Sequence, residues 1–240
     1  MSISHPRVSD ESGSLLFSVW VTLLLILMLP PIWLVLALVP AGAATHRLVR
    51  RFARGLLWLS GCRLQVHGLE HLKREPCAVL VANHSSYLDS VVLVAAIPRD
   101  CRFVANHLAA TRPLIGLIIR KAGHVVVDRR SRRSRAACAR AMMELLRGGT
   151  SLLLFPEGTR ATDKVLPFHA GAFRAAVMTG RPVIPIAISG TGRILPRRIR
   201  PIRRSAVEVR VLPAIHADAK TRQSAARLRD TAAGVITAAL

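Results

Sequence analysis

The sequence predicts an α/β fold, with a mostly parallel or mixed central sheet flanked by helices and an N-terminal membrane-associated helical segment. Three observations predict it. Short apolar runs alternate with helical patterns from Arg63 onward, as in a sheet whose strands are joined by helices. Hydrophobic residues make up 51% of the 240 residues, which is ample for a buried core. Residues 12–45 contain no Asp, Glu, Lys or Arg.

The apolar segment at residues 15–39 is long enough to cross a bilayer as a helix, at about 1.5 Å per residue. Pro30 and Pro31 interrupt it and are expected to break or kink the helix. The segment is therefore either a single span or a re-entrant helix pair broken at Pro30-Pro31. We interpret residues 1–44 as the membrane segment and residues 45–240 as one domain.

Basic residues follow the apolar segment closely. The chain has 35 Lys plus Arg and 13 Asp plus Glu, a formal net charge of +22, which indicates a polyanionic partner. An anionic membrane surface and a nucleic acid both fit that description. The excess of arginine just after the segment places the domain on the cytoplasmic face of a cytoplasmic membrane. These arginines are Arg47, Arg50, Arg51, Arg54 and Arg63. The basic stretches at residues 129–135 and 193–204 are expected to be drawn to the same bilayer.

The elements of the domain follow in order. Residues 45–59 have arginines on one side and apolar residues on another, which predicts an amphipathic helix along the headgroups. Strands are predicted at residues 63–67, 77–82, 101–105, 125–127, 151–155, 183–188 and 207–212. Helices are predicted at residues 88–96, 114–121, 132–147, 170–179 and 221–239, four of them ended by Pro98, Gly123, Gly148 and Gly180.

An imidazole and a carboxylate stand where the apolar run 78–82 ends, in Asn83-His84-Ser85-Ser86-Tyr87-Leu88-Asp89. On a continuous helix their five-residue offset would separate them by about 140°, so they could not meet. If His84 lies in a turn and Asp89 in the next helix's first turn, the carboxylate can fix the ring tautomer. The other ring nitrogen is then free to act as a general base.

A structural interpretation of the same residues stays open. Ser86 and Asp89 match a capping box that opens the helix predicted at residues 88–96. On this interpretation Asp89 only caps the helix, and His84 is an ordinary turn residue.

A second motif, Phe155-Pro156-Glu157-Gly158-Thr159-Arg160, follows the apolar run 152–154. Ligands of α/β sheets bind at such strand ends. Pro156 and Gly158 predict a tight turn, and Arg160 offers a forked guanidinium suited to a phosphate. A surface turn with a salt bridge is the alternative.

Together the two motifs resemble the glycerolipid acyltransferase family, which includes bacterial 1-acylglycerol-3-phosphate acyltransferases, with its blocks NHxxxxD and PEGTR. Both blocks are intact and in order. The stretch 123–129, which ends at Arg129, and Val183-Ile184-Pro185-Ile186 are similar to the family's second and fourth blocks. The resemblance covers roughly residues 68–188 and implies that residues 45–240 are an acyltransferase domain.

The resemblance implies transfer of a fatty acyl group from acyl-CoA or acyl-carrier protein to the free hydroxyl of a lysophospholipid. The acceptor implied is 1-acyl-sn-glycerol-3-phosphate, which gives phosphatidic acid. His84 is the implied base and Asp89 its partner. Acceptor and phosphate contacts are expected from Glu157, Gly158, Thr159, Arg160 and Arg129, with Asn83 and Pro185 in support. Backbone N–H groups near Val183–Pro185 are expected to hold the oxyanion. No cofactor and no metal are expected.

One position departs from the family pattern. Members often carry a lysine in the phrase FKxGxF, whereas this chain has His169 there. A neutral imidazole donates one hydrogen bond where an ammonium offers a full charge. Another lysolipid acceptor, such as a lyso-ornithine lipid, therefore stays open.

Two other functions fit parts of the sequence. A nucleic-acid-binding protein fits the charge, but aromatic residues are only 4% of the chain, which leaves little for base stacking. A serine hydrolase would need Ser85 or Ser86 as nucleophile, and the chain lacks a Gly-x-Ser-x-Gly elbow. The four cysteines are scattered without metal-ligand spacing and are expected to be reduced, buried thiols. His107, His124 and His216 are expected to be structural or exposed.

Overall fold

The structure, a computed structural model, describes residues 11–161, 164–195, 202–218 and 221–240. Its strands are β1 (Leu64–His67), β2 (Val79–Ala82), β3 (Cys101–Asn106), β4 (Val125–Val127), β5 (Ser151–Leu154), β6 (Val183–Ser189) and β7 (Val207–Val211). Its helices are α1 (Glu11–Leu38), α2 (Ala43–Leu59), α3 (Leu69–Arg74), α4 (Leu88–Ala96), α5 (His107–Ala110), α6 (Pro113–Lys121), α7 (Arg132–Arg147), α8 (Gly171–Thr179), α9 (Thr191–Ile194) and α10 (Arg222–Ala238).

The strands form one seven-stranded sheet in the order β1-β7-β6-β2-β5-β3-β4. Neighbouring strands are parallel throughout, except for the antiparallel pair β6 and β7. Strands β1 and β7 therefore run against the other five. The sheet is mixed and flanked by helices, which confirms the predicted fold class.

Alternate residues of the central strands point to opposite faces, and each face carries its own helical layer. Leu80 and Ile184 pack with buried residues of α1, α2 and α4. Val79 and Val183 pack with buried residues of α7, α8 and α10. The chain thus forms a three-layer sandwich, with α1 and α2 on one face and α7 on the other.

The chain turns to opposite faces of the sheet after β2 and after β5, the two strands that precede the predicted motifs. Helix α4, which follows β2, lies on one face, and α8, which follows β5, lies on the other. Since these helices leave adjacent strands in opposite directions, a crevice opens at the carboxyl ends of β2 and β5. Open α/β sheets bind their ligands at such switch points.

All the predicted strands and helices occur, and their ends differ from the predictions by no more than two residues. Sequence analysis missed three short helices, α3, α5 and α9, of six, four and four residues. Helices this short span one turn or two, so the 3.6-residue repeat cannot be recognised in them.

The expected break at Pro30-Pro31 is wrong, because α1 is one helix of 28 residues that contains both prolines. Both rings lie on the exposed side of the helix. Leu24 and Ile32, which precede and follow the prolines in sequence, are buried. Packing on both sides of the prolines holds the helix together despite the missing N–H groups. In the described residues, α1 is the one helix long and apolar enough to cross a membrane.

Helices α1 and α2 form an antiparallel hairpin whose outer side is apolar. Near the start of α1, the Trp20 Nε1–H donates to the Leu59 carbonyl at 3.2 Å. At the other end, the Lys121 ammonium donates to the carbonyls of Ala37 at 2.6 Å and Val39 at 2.7 Å. Both ends of α1 therefore contact the domain. Its large exposed residues include Leu16, Leu23, Ile26, Leu27, Leu34 and Leu38.

Gly68, just after β1, lies very close to the backbone of β7. It has φ +75°, and a Cβ at this position would lie 2.0 Å from the Val211 carbonyl oxygen. We expect Gly68→Ala to lower the free energy of unfolding by about 2–4 kcal/mol, through backbone strain and displacement of β7. Circular dichroism during thermal or urea unfolding in detergent measures this change.

Gly234→Ala is the matched control. Gly234 lies in α10, and a Cβ there would meet no atom within 4 Å. We expect this substitution to leave the stability unchanged or raise it by up to about 1 kcal/mol. Equal stability of the two variants would contradict the close approach at Gly68.

Candidate active site

Two loops meet in the crevice between β2 and β5. The first, residues 83–87, joins β2 to α4, and the second, residues 155–161, follows β5. The Ala161 N–H donates to the His84 carbonyl at 2.8 Å, so the two loops are bonded directly. The motifs that lie far apart in sequence therefore form one site, as the strand ends predict.

His84 and Asp89 face each other across the first turn of α4. The His84 Nδ1 lies 2.8 Å from Asp89 Oδ2. Because a carboxylate accepts, Nδ1 carries the proton and Nε2 presents its lone pair. The His84 side chain is 15% exposed and that of Asp89 is 0% exposed. The geometry predicted for the pair is present, and Nε2 is the free nitrogen of a ring with partial access to the crevice.

The Asp89 carboxylate also organises the loop that carries His84. Its Oδ2 accepts from the Ser85 N–H and the Ser86 N–H, each at 2.8 Å, in addition to the imidazole. These three donors offset part of the cost of taking the charge out of water, while Oδ1 is buried without a hydrogen-bond partner among the described residues. Asp89 therefore combines the two interpretations of the sequence, since it binds backbone N–H groups at the helix start and orients His84.

The His84 ring is held on its flat side by Phe155. The two ring centroids are 4.0 Å apart and the rings are inclined by 14°. With Asp89 at Nδ1 and Phe155 against the face, the ring has little rotational freedom. Sequence analysis assigned no role to Phe155. Its position just before Pro156, at the end of the neighbouring strand, was the available signal.

Asn83 ties the first loop to β6. Its Nδ2 donates to the Ile188 carbonyl at 2.9 Å, and its Oδ1 accepts from the Ile188 N–H at 2.8 Å. The side chain thus continues the β2–β6 pairing beyond Ala82, where the backbone turns away. Asn83 is buried, and its two hydrogen bonds to the Ile188 backbone support the loop that carries His84.

Glu157 joins the two loops, a role that differs from the predicted contact with the acceptor. Its Oε1 accepts from the His84 N–H at 2.6 Å, and its Oε2 accepts from the Leu166 N–H at 2.8 Å. Burial raises the pKa of the Glu157 carboxyl above its ordinary value, although these two N–H groups oppose the shift. Each oxygen accepts from a backbone N–H, so Glu157 holds these segments together, and its predicted contact with the acceptor stays a prediction.

The remaining residues of the second motif lie at the crevice. Gly158 has φ +75°, and its N–H donates to the Phe155 carbonyl at 3.1 Å, which closes the predicted turn. Thr159 is exposed. The Arg160 guanidinium lies 3.6 Å from the centroid of the Tyr87 ring. This stacking places a cation beside the loop of His84.

Arg129 and His169 reach the same turn from two other segments. A Cβ on Gly158 would lie 2.7 Å from Arg129 Nη1 and 3.0 Å from His169 Nε2. Arg129 follows β4, and His169 precedes α8. A guanidinium and an imidazole thus flank Gly158, with Arg160 two residues further on. The structure brings Arg129 to the second motif, as the prediction of a shared phosphate site requires.

The predicted oxyanion donors near Val183–Pro185 are wrong. Val183 begins β6 and its N–H donates to the Ile215 carbonyl at 2.9 Å, whereas Pro185 has no N–H. His84 lies beyond Ala82, which pairs with Ile186, so the end of β6 near His84 is Ile188 and Ser189. The predicted donors lie at the opposite end of the strand, and Pro185 is buried in the sheet.

Neither serine of the first motif is placed as a nucleophile. The buried Ser86 hydroxyl donates to the Leu195 carbonyl at 2.8 Å and accepts from the Leu88 N–H at 3.2 Å. The Ser85 hydroxyl pairs with that of Thr191 at 3.0 Å. These hydroxyls hold α9 against the loop.

His107, His124 and His216 make contacts that do not involve the His84–Asp89 pair. Burial, with His46 and Arg102 nearby, lowers the pKa of His124 to about 3, so its ring is neutral. His124 Nδ1 accepts from the Phe103 N–H at 3.3 Å, a structural contact as predicted. His107 Nδ1 lies 3.7 Å from Asp128 Oδ1, and His216 Nε2 lies 3.2 Å from Glu75 Oε1, so both have acidic partners that the sequence spacing did not reveal.

Thiols and metal ligands complete the survey of reactive groups. All four cysteines are free and buried, as predicted. Among the residues that the structure describes, no group of three or more His, Cys, Asp or Glu side chains could hold a metal ion.

The chain is similar in sequence to one protein family and several of its members. The Acyltransferase family matches residues 63–189. A chloroplastic 1-acyl-sn-glycerol-3-phosphate acyltransferase of Brassica napus is 39% identical over 137 residues, which are 56% of this chain and 39% of that protein. The corresponding Arabidopsis thaliana protein is 34% identical over 177 residues, 73% of this chain and 49% of that one. The chain thus spans half or less of the length of these two relatives.

A solved structure has the same fold. The crystal structure of the 1-acyl-sn-glycerophosphate (LPA) acyltransferase PlsC from Thermotoga maritima aligns with a TM-score of 0.78. The alignment covers 95% of each chain at 22% sequence identity. The match extends over the sheet, both helical layers and the N-terminal hairpin.

Glu157→Gln tests the junction between the two loops. An amide has one acceptor oxygen, so one of the two N–H groups now bound to Glu157 would face an NH₂ group. We expect the free energy of unfolding to fall by about 1–3 kcal/mol at neutral pH. Thermal unfolding in detergent micelles measures the loss, and unchanged stability would contradict the assigned role.

The difference in stability between the wild type and Glu157→Gln depends on pH. Because the pKa of Glu157 is raised in the folded protein, the folded state binds this proton more tightly than the unfolded state. The stability from protonation is complete below the ordinary pKa of glutamate and is lost as the pH rises through the raised value. Relative to Glu157→Gln, the wild type should therefore lose stability over that interval, and a rise would contradict it.

Proposed function

The chain belongs to the Acyltransferase family, and on this premise we propose that it transfers a fatty acyl group from an acyl thioester to the hydroxyl of 1-acyl-sn-glycerol-3-phosphate, giving phosphatidic acid. The observation that carries the proposal is the contact of 2.8 Å between His84 Nδ1 and Asp89 Oδ2 at the switch point of the sheet. The printed names of the relatives support the choice of acceptor.

His84 acts as the general base. Its Nε2 takes the proton of the acceptor hydroxyl as that oxygen attacks the thioester carbonyl carbon. Asp89 keeps the ring in the reactive tautomer and stabilises the imidazolium that forms. Phe155 fixes the ring plane, so the lone pair of Nε2 has a defined direction.

The reaction needs no acyl-enzyme. Attack forms a C–O bond and a tetrahedral oxyanion, and its collapse breaks the C–S bond. The imidazolium of His84 then returns its proton to the departing thiolate. A thiol is a good leaving group, so the site has to supply mainly orientation and charge stabilisation. The engaged hydroxyls of Ser85 and Ser86 agree with direct transfer.

The acceptor phosphate is bound at the turn around Gly158. Arg129 and Arg160 supply guanidinium groups that match a phosphate in shape and charge. Gly158 and Thr159 lie between them, and Gly158 has no side chain to fill the space beside Arg129. A phosphate bound there is one loop away from His84, which suits an acceptor whose hydroxyl and phosphate share one glycerol.

Thioesters of coenzyme A or of acyl carrier protein are the acyl donors, and the proposed chemistry uses no metal or other cofactor. The donor is a substrate that leaves as a free thiol. Both kinds of donor are made in the cytoplasm, which agrees with a domain on the cytoplasmic face.

The enzyme works on the cytoplasmic membrane. The exposed apolar side of α1 and the arginines of α2 support contact with an anionic bilayer. Because both ends of α1 contact the domain, we favour a hairpin that lies in the membrane interface over a helix that spans it.

A lyso-ornithine lipid is the second candidate acceptor. The observation that favours it is His169, which flanks Gly158 where related sequences often carry lysine. A weaker positive charge at this position suits an acceptor without a phosphate.

The test offers purified protein several lysolipids with one labelled acyl thioester. We expect His84→Ala to abolish transfer, and Asp89→Asn to reduce kcat by about 10³-fold or more, because the amide favours the wrong tautomer. Ser90→Ala, a control within the same helix α4, should keep activity within about twofold, since Ser90 is outside the contacts that hold the pair. Unchanged turnover in both site variants would overturn the mechanism.

His169→Lys tests the acceptor phosphate site. A lysine ammonium beside Gly158, in place of the imidazole, should lower the KM for 1-acyl-sn-glycerol-3-phosphate by about fivefold. The KM for a lyso-ornithine lipid should not fall. His216→Lys adds the same charge at the opposite end of the sheet and serves as control. A fall in KM that is equal for both variants or both acceptors would contradict a specific phosphate contact.

A further inference from the structure

Four arginines form a line along the outer side of α7, which we name the α7 stripe: Arg132, Arg133, Arg140 and Arg147. At 3.6 residues per turn they fall within about 100° of one another around the helix axis. All four side chains are exposed. No carboxylate of the described residues lies within 4.0 Å of them. The α7 stripe is thus a positive surface without a partner in the described part of the chain.

The stability of α7 does not explain the stripe. Arg132 and Arg133 lie in the first turn, which has no acidic residue. Positive charges at a helix N-terminus oppose the helix dipole and cost stability. Arg135 differs, because it donates to the Arg129 carbonyl at 2.6 Å and so orders the loop. The stripe contains arginines that lower the stability of α7 and have no carboxylate partner among the described residues. Such residues indicate a binding surface.

The stripe begins beside the active site and leads away from it. Helix α7 follows β4 at the same sheet edge as His84, and Arg129, three residues before α7, reaches Gly158. From Arg132 to Arg147 the helix advances about 22 Å. A partner bound along the whole stripe would therefore hold one end next to the crevice.

The bilayer that contacts α1 and α2 does not reach this stripe. Helix α7 packs on one face of the sheet, whereas α1 and α2 pack on the other. With layers spaced by about 10 Å, the stripe lies roughly 20 Å from α1. Charges are screened beyond about 8–10 Å at physiological salt, so these arginines contribute little to membrane binding.

Bilayer contact of residues 193–204 stays a prediction, which the position of Arg204 supports, since it lies 5.4 Å from the Phe17 ring of α1. Residues 132–135 belong to α7, which lies in the opposite layer, so the same prediction is not supported for them. Arg197, Arg198 and Arg200 are outside the described residues.

We propose that the α7 stripe docks the acidic surface of an acyl carrier protein, which delivers the thioester to the crevice. This proposal rests on the proposed function and selects the carrier protein among its two donors. The phosphates of coenzyme A need only the arginines nearest the crevice, whereas Arg140 and Arg147 lie about 12 and 22 Å along the helix from Arg132. A row of this length matches an acidic helix lying along α7. Glu144, the one acid of α7, lies at the margin of the row.

The experiment compares one acyl chain on two carriers, using the full chain in detergent with 1-acyl-sn-glycerol-3-phosphate as acceptor. We expect Arg140→Glu to raise the KM for the acyl carrier protein thioester about tenfold, with kcat nearly unchanged. The KM for acyl-CoA should change less than twofold. Raising the ionic strength should raise the KM of the wild type for the carrier-protein thioester. The difference in KM between the wild type and Arg140→Glu should therefore become smaller. Arg227→Glu, an exposed arginine of α10 on the same face of the sheet, is the matched control and should change neither KM.

Several outcomes would overturn the proposal: equal effects on both donors, no effect on either, or the same effect from Arg227→Glu. Weaker binding of Arg140→Glu to anionic phosphatidylglycerol vesicles would assign the stripe to the bilayer instead. Calorimetric titration with acyl carrier protein gives a readout without turnover. If wild type transfers no acyl group from either carrier, the proposed function fails. The calorimetric Kd then tests docking by itself. It should rise about tenfold in Arg140→Glu, and an unchanged Kd would overturn the docking proposal.

Discussion

The site depends on one oxygen atom, Asp89 Oδ2, on which three donors converge. Two are backbone N–H groups of the loop, and the third is the imidazole of His84. A buried carboxylate is tolerated because its charge is met by these donors, and in return it fixes both the path of the loop and the tautomer of the ring. Folding of the loop and preparation of the base are therefore the same event. A catalytic pair with a separate structural support would need more residues to reach the same order.

The sheet places this pair where a ligand can approach. The helices that follow the adjacent strands β2 and β5 lie on opposite faces, so the carboxyl ends of these strands are left open between the two helical layers. Arg129 arrives from β4 and His169 from the segment before α8, so a guanidinium and an imidazole from separate parts of the chain flank the turn at Gly158. The hairpin of α1 and α2 covers one face of the sheet, and α7, α8 and α10 cover the other. Under the two proposals, the first layer contacts the lipid bilayer and the second contacts the carrier protein.

Much of this was predictable because it depends on local rules. Short runs of three to seven residues predicted the strands, and polar residues just after two of them predicted both loops, since parallel strands end at a common edge. The spacing of His84 and Asp89 required a turn before a helix, and that is how they lie. The contacts of Glu157 were not predictable, because its partners, the N–H groups of His84 and Leu166, are set by the folded loops. Stacking of Phe155 on His84 depends on the β2–β5 register, which no single segment encodes. The prolines of α1 were misjudged because tertiary packing outweighed a local preference.

Glu157 has a consequence for how such enzymes can change. Its carboxylate belongs to the loop after β5, yet it binds the backbone of the histidine in the loop after β2. A recombinant that exchanged the PEGTR turn alone, with a different loop length before Leu166, would misplace the base even though every reactive side chain was retained. A change of headgroup specificity by loop exchange therefore requires that both loops and the strands that precede them be replaced together.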